Sequence, residues 1–362
     1  AVVGGGVGAL GAQIVALGGL VGGGFALGEG RGGAGLPLAM LGGLAIVLVY
    51  SAAGGMVAGV WTDVVQGVLM MVTAIGVFAV AWRAGGGPSG ILQTLRAAPE
   101  RGADFLDPLG GVPAATALGF LFVFSIGVLG QPQMLHKFFM MRDTAKLRWM
   151  PLVIGGSQTL SLLIWVGVGL TVPALVAAGS MEPLELADAA TPAFLLELAP
   201  PTLTGLVVAG VLAAIMSTAD SFLNIGSAAL VRDLPRAAGR RPIEGLRPAR
   251  WATLAIGAAA FALAWGTEDL IALLGTFAFG TFAAALGPAL AVGLTWRRVD
   301  GAAAAASIVT GLGVNLGLEA WTRWGEALGL PDPPMAAGAL PSAVALAASI
   351  LVLVAVTVHR NW

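Results

Sequence analysis

The stretch Ala213-Ala214-Ile215-Met216-Ser217-Thr218-Ala219-Asp220-Ser221 carries hydroxyls and a carboxylate into an otherwise apolar run. On a helix, Ala214, Ser217 and Thr218 stand at i, i+3 and i+4, so one main-chain carbonyl and two hydroxyls share a face. A small hard cation binds several oxygen ligands with little net charge among them, and this set has that character. Asp220 and Ser221 continue the polar stripe by one turn. The competing reading is that the hydroxyls bond back to carbonyls of the preceding turn, a common arrangement in membrane helices. A carboxylate at the same depth weighs against that reading, because a charge there is costly and marks function by default.

Two other polar clusters interrupt apolar runs. Trp61-Thr62-Asp63-Val64-Val65-Gln66 opens one of them, where Asp63 serves either as an N-terminal cap favoured by the helix dipole or as a cation-attracting carboxylate. Gly127-Val128-Leu129-Gly130-Gln131-Pro132-Gln133 places glycine and proline close enough to break a helix and free backbone groups. His136, just beyond, reads as a surface or interfacial histidine, and the only other histidine is His359 near the end of the chain. With two histidines and no cysteine, zinc chemistry, disulfides and thiol catalysis have almost nothing to work with. No H-E-x-x-H, G-x-S-x-G or G-x-x-x-x-G-K-[ST] string occurs, so the expectation is that the protein is not an enzyme.

The elements that must hold these residues are membrane spans. Of 362 residues, 57% are hydrophobic and 10% are charged, against about 25% charged in a soluble domain. Apolar runs reach the roughly 18 residues that a bilayer-crossing helix requires. Ten candidate spans follow, at 2–28, 34–58, 61–82, 114–133, 150–178, 203–230, 251–266, 270–295, 302–320 and 341–358, forming one transmembrane domain over 1–362. Trp61, Trp82, Trp149, Trp251, Trp265, Trp296, Trp321, Trp324 and Trp362 fall at span ends or in loops, as an interfacial aromatic belt. Trp165 is mid-span and is expected to pack inside. The outer connections 83–113 and 179–202 are expected to hold short amphipathic helices.

Basic residues sort by side. Lys137, Arg142, Lys146, Arg148, six arginines between 232 and 250, Arg297, Arg298 and Arg360 make 13 of 18, and Arg31, Arg83, Arg96, Arg101 and Arg323 lie opposite. The positive-inside rule then puts the basic side, and both ends of this chain, in the cytoplasm. The net charge of −1 and the lack of a basic patch with interleaved aromatics give no sign of nucleic acid as a partner.

The three clusters, in this order, resemble the sodium/solute symporter family. The matching strings are Gly54-Gly55 with Trp61 to Gly67, Gly130-Gln131-Pro132-Gln133 through Lys137-Phe138, and above all Ala213 to Ser221, with a weaker match at Gly287-Pro288 and Trp296-Arg297-Arg298. The resemblance covers essentially the whole chain. It implies an all-α, LeuT-like bundle of two inverted five-helix repeats holding solute and sodium near the membrane midplane. It also implies about three further spans ahead of this chain's first, including a broken first core helix that contributes to both sites.

By resemblance, Ala214, Ser217 and Thr218 match sodium ligands on core helix eight, and Asp63 matches an acidic residue on the inner ion path. Asp220 and Ser221 fall where some members form a second ion position with that acid. Asp220 departs from the simpler pattern, since a hydroxyl would be the simpler ligand there. The solute-facing part of core helix six maps to Phe124, Ser125 and Gly127, with Gln131 at the break, and an apolar Phe124 argues against a sugar. The implied activity is sodium-coupled symport of a small organic solute, an amino acid or carboxylate, by alternating access. Sodium would be the coupling ion with no other cofactor or metal, and the setting a multi-pass protein of the cell membrane. The alternatives are a proton-coupled carrier using Asp220 and Asp63, and a transporter-like sensory module of a histidine kinase.

Overall fold

The computed structural model describes residues 2–24, 35–98, 106–185, 187–265 and 271–361. Among these residues the chain is helical and has no strand. The first half holds α1 (Val2–Gly24), α2 (Gly35–Ala84), α3 (Gly87–Ala97), α4 (Ala114–Gly127), α5 (Pro132–Phe139) and α6 (Met150–Ala177). The second holds α7 (Ala190–Glu197), α8 (Pro201–Ala228), α9 (Leu234–Ala237), α10 (Leu246–Trp265), α11 (Ile271–Ala291), α12 (Gly301–Trp324) and α13 (Pro341–Asn361). Among the described residues, six helical stretches are long and apolar enough to cross a membrane: Val60–Ala84, Ala114–Phe139, Thr144–Ala177, Pro201–Ala237, Gly301–Trp324 and Pro341–Asn361. The protein is a multi-pass membrane protein. Arg31 and Arg101, two of the minority basic residues, lie outside the described residues.

Each of the ten expected spans coincides with helix, but 34–58 and 61–82 share the single element α2. Val47 lines a small cavity with Ile215 and Ala219 of α8, while Asp63 bonds Ser217 between them. A straight helix rising 1.5 Å per residue would set Val47 and Asp63 about 24 Å apart. α2 is therefore not straight between these two residues. The connection after α2 contains the expected amphipathic helix: α3 buries Ile91 and Leu95 against Trp82, Leu170 and Ala174. Trp165 departs from expectation. It is 73% exposed on α6 and faces away from the protein, as a lipid-facing side chain does.

Lipid tails are as apolar as leucine, so burial of apolar surface does not drive these helices together, and close packing of small residues does. α11 is the clearest case. A Cβ at Gly311 of α12 would overlap the Ala284 carbonyl of α11, and one at Gly280 of α11 would overlap Ser342 of α13. α12 and α13 are then clasped by reciprocal hydrogen bonds: Ser307 Oγ donates to the Ser349 carbonyl at 3.1 Å, and Ser349 Oγ to the Ser307 carbonyl at 3.0 Å. Asp300 caps α12, its Oδ1 accepting from Ala303 N at 2.8 Å. On the other flank, α2 packs along α8 and α6, and buried Thr171 of α6 donates to the Ala81 carbonyl of α2.

The helix opened by Ala114 breaks where glycine and proline predict it. A 3₁₀ turn, Val128–Gly130, follows α4, and Pro132 then occupies the first turn of α5, where its missing N–H costs nothing. Residues 134–139, expected as loop, are thus a restarted helix. The break is pressed against α11 so closely that a Cβ at Gly130 would meet the Phe282 carbonyl and the Gly287 nitrogen. Inside it, wholly buried Gln131 accepts from Gln133, Nε2 to Oε1 at 2.6 Å. Gln131 Nε2 and Gln133 Oε1 are left without partners among the described residues.

Two stability outcomes follow. Gly311→Val should lower stability by about 1–3 kcal/mol through overpacking, read as a fall in melting temperature in detergent. Gly313→Val, where a Cβ meets open space, should leave melting unchanged. Gln133→Leu strands the Gln131 carbonyl oxygen and should cost about 1–3 kcal/mol. The Gln131→Leu/Gln133→Leu double variant should cost less than the sum of the two singles, because neither amide is then left alone.

Candidate functional site: a carboxylate pair between α2 and α8

The polar stripe of α8 sits in the middle of the helix that packs along the bent α2. Ser217 Oγ donates a hydrogen bond to Asp63 Oδ1. Asp63 is therefore not an N-cap in this fold, since α2 is helical on both sides of it. Nor does Ser217 bond back to its own helix. The expected inner-path acid and the expected ion ligand are joined directly, across 154 residues of sequence.

The other oxygen of Asp63 is taken by a residue the sequence reading did not place here. Lys137, in the last turn of α5, sets Nζ 2.6 Å from Asp63 Oδ2. One carboxylate is thus held from two helices, by a hydroxyl of α8 and an ammonium of α5. The pair is partly open, with Asp63 22% and Lys137 37% exposed.

Asp220 lies one turn further along α8 and is 6% exposed. Its hydrogen-bond donor is a neutral amide on the same helix, Asn224 Nδ2, at 2.9 Å from Oδ1. Ser221, beside it, is 7% exposed. From α2, the buried Ser51 hydroxyl faces the Asp220 carboxylate and interacts with it. Gln66 Oε1, one turn beyond Asp63, is buried and has no hydrogen-bond partner among the described residues. Oxygens withheld from water and from donors cost free energy unless something electropositive reaches them. The α2–α8 seam therefore holds two carboxylates, several neutral oxygens and one ammonium, a composition suited to a monovalent cation.

The remaining expected residues separate. Ala214, Ser217 and Thr218 share one face of α8 and are half-buried. Phe124 and Ser125 are exposed on α4, with Phe124 ringed by Phe120 and Phe279 at 6.0 and 5.6 Å between centroids. Gly127 is buried, and a Cβ there would collide with Ala283 of α11. It is a packing glycine, and Gln131 lies sealed in the break. Phe124 and Ser125 thus do not form one open surface with Gly127 and Gln131. Of the residues missed, Asn224 was readable as the i+4 neighbour of Asp220. Lys137 stood within the string matching the family, five residues after a predicted break, but its charge read as part of the basic side.

Comparison with known proteins agrees with this architecture. A family model described as the sodium:solute symporter family matches residues 12–311. The high-affinity proline transporter PutP of Bacillus subtilis is 30% identical over 271 residues, covering 74% of this chain and 56% of that protein. The sodium/proline symporter of Escherichia coli is 27% identical over 303 residues, covering 79% and 57%. The sodium/pantothenate symporter of Haemophilus influenzae is 26% identical over 270 residues, covering 73% and 54%. The chain spans somewhat more than half the length of these relatives. Among solved structures, a substrate-bound, outward-open sodium-coupled sialic acid symporter superposes with a TM-score of 0.68, covering 98% of this chain and 72% of that one at 14% identity. That likeness shows the LeuT-like fold. With the family pattern matched over most of its length, and the polar seam of α2 and α8 at its centre, the chain belongs to the sodium:solute symporter family.

Proposed function

We propose that this protein carries a small organic solute across the cell membrane by sodium-coupled alternating access. The observation that carries the reading is the seam itself: Ser217 bonded to Asp63, with buried Asp220 facing the Ser51 hydroxyl and an unpartnered Gln66 oxygen one turn from Asp63. An apolar bundle tolerates such a set only where a cation or water completes it. Sodium is the coupling ion in this reading. Ala214, Ser217 and Thr218 supply oxygens to it, and Asp63, Asp220 and Ser221 form the inner path or a second ion position. No other metal or cofactor is required, and the partners are the solute, sodium and the bilayer.

The solute is an amino acid or carboxylate rather than a sugar. Proline and pantothenate, named for the curated relatives, both carry a carboxylate, whereas α4 offers the aromatic Phe124 where a sugar would need polar contacts. Sodium binding favours the outward-open state, and its release past Asp63 follows solute.

Thr218→Ala should raise the sodium concentration for half-maximal uptake several-fold in proteoliposomes, with little change in solute affinity at saturating sodium, because one of about five oxygen ligands is lost. Asp63→Asn should chiefly slow turnover. The buried Asp220 motivates the rival, proton-coupled reading. Uptake that follows a pH gradient, is abolished by Asp220→Asn and ignores Thr218→Ala would establish the rival instead.

The orientation is part of the same proposal, with the basic loops and both ends of this chain cytoplasmic. The cysteine-free sequence makes single-cysteine labelling clean. In intact cells an impermeant maleimide should modify Ser180→Cys between α6 and α7 and spare Ala238→Cys after α9. Labelling of both from the same side would refute the layout.

A further inference from the structure

Lys137 stands where the proposed ion path needs a cation. Its ammonium fills one oxygen of Asp63 while Ser217 fills the other. Asp220, one turn away, has the neutral Asn224 amide as its donor and faces the buried Ser51 hydroxyl. No lysine, arginine or histidine among the described residues forms an ion pair with it. With both carboxylates ionised, the seam sums two negative charges against one ammonium, a net charge of −1, and a buried uncompensated charge is strongly unfavourable. One monovalent cation neutralises the seam with Lys137 in place. If Lys137 withdraws, a cation takes over its role at Asp63.

Withdrawal is physically available. The lysine head is a compact charge on a flexible four-carbon stem, and at 37% exposure it is not enclosed by the described residues. It is carried by the last turn of the eight-residue helix α5, tied to the rest of the chain through the break at Gly130–Gln131 on one side and a turn at Met140 on the other. Its ion pair with Asp63 joins α5 to α2, and through Asp63 to Ser217 of α8. His136, adjacent, adds a second titratable group to that side of the contact.

We infer that Lys137 is an exchangeable internal counter-ion: its ammonium holds Asp63 while the seam is free of ion, and an arriving monovalent cation displaces it towards solvent, releasing α5 from α2 and α8. This rests on the reading that the transported ion enters the seam. Lys137 is then a positioning residue that reports ion occupancy to the broken helix.

The test uses the complete protein in detergent with sodium chloride as the probe and choline chloride at equal ionic strength as control. Lys137→Gln removes the competitor, so half-saturation in direct radiolabelled-sodium binding should fall several-fold, while Lys137→Arg, which keeps the charge, should retain or raise it. A fluorophore pair on Met140→Cys and Ala228→Cys should separate on adding sodium to the otherwise unaltered protein. In Lys137→Gln it should be separated already, with or without sodium. A purely structural ion pair predicts the opposite pattern: weaker or unchanged sodium binding and no sodium-dependent separation, which would overturn the exchange. If Lys137→Gln yields no folded protein, Lys137→Arg and the fluorophore pair decide the matter. Sodium that binds and drives uptake, with Thr218→Ala impaired but Lys137→Gln like the parent, removes the exchange alone. A protein indifferent to sodium removes the underlying reading together with it.

Discussion

Hydrocarbon offers a polar group nothing to bond to, so each polar side chain carried into a span has to be answered by another part of the same chain. In this protein that requirement does much of the work that apolar burial does in a soluble fold, because leucine against leucine is no better than leucine against lipid. Thr171 finds the Ala81 carbonyl, Asn315 finds Thr281, Ser307 and Ser349 find each other, and Ser217 finds Asp63. These contacts set the register between helices whose remaining surfaces would slide with little penalty. Small residues then let the backbones close upon the contacts, as where α12 meets α11 at Gly311.

The places where the requirement is not met are correspondingly informative. Among the described residues, buried atoms without a partner stand at Gln66 of α2 and at the Gln131–Gln133 break, with one more at Asn315. Gln66 lies one turn from Asp63, where the charge balance also fails to close. A bundle built only for stability would fill such positions with alanine or leucine. That incomplete satisfaction coincides with the acidic seam ties the helix packing to the proposed transport chemistry, since groups left unanswered by protein are those able to answer a ligand.

The spans and the break at Gly130–Pro132 were legible in the sequence because each follows from a local rule, apolar length or a helix-breaking pair, and α3 was expected only as a short amphipathic helix within the connection 83–113. The stripe on α8 was legible for the same reason, since i, i+3 and i+4 neighbours depend on helix geometry alone. What stayed hidden were partnerships between elements. Nothing local says that Ser217 reaches Asp63 or that Lys137 crosses from a short restarted helix to the same carboxylate. A basic residue near a span end reads as topology until a structure supplies its acid. Likewise Gly127 read as part of a solute surface, although its small size serves the approach of α4 to α11. Trp165 read as interior, although an indole on a lipid-facing surface is no anomaly.

The clasp between Ser307 and Ser349 has a mechanical meaning. Because each serine donates to the other's carbonyl, the pair is self-complementary, and a shift of either helix by one turn would break both bonds at once and leave two hydroxyls stranded in apolar surroundings. α12 and α13 are in effect keyed together like a dovetail joint. Any rearrangement of the bundle has to treat them as one beam, with α11 seated against it through Gly280 and Gly311. Strain from such a rearrangement falls instead on the stretches whose hydrogen-bond ladders are already irregular: the turn between α4 and α5, the bend in α2, and the π-helical turn Ala229–Asp233 that ends α8.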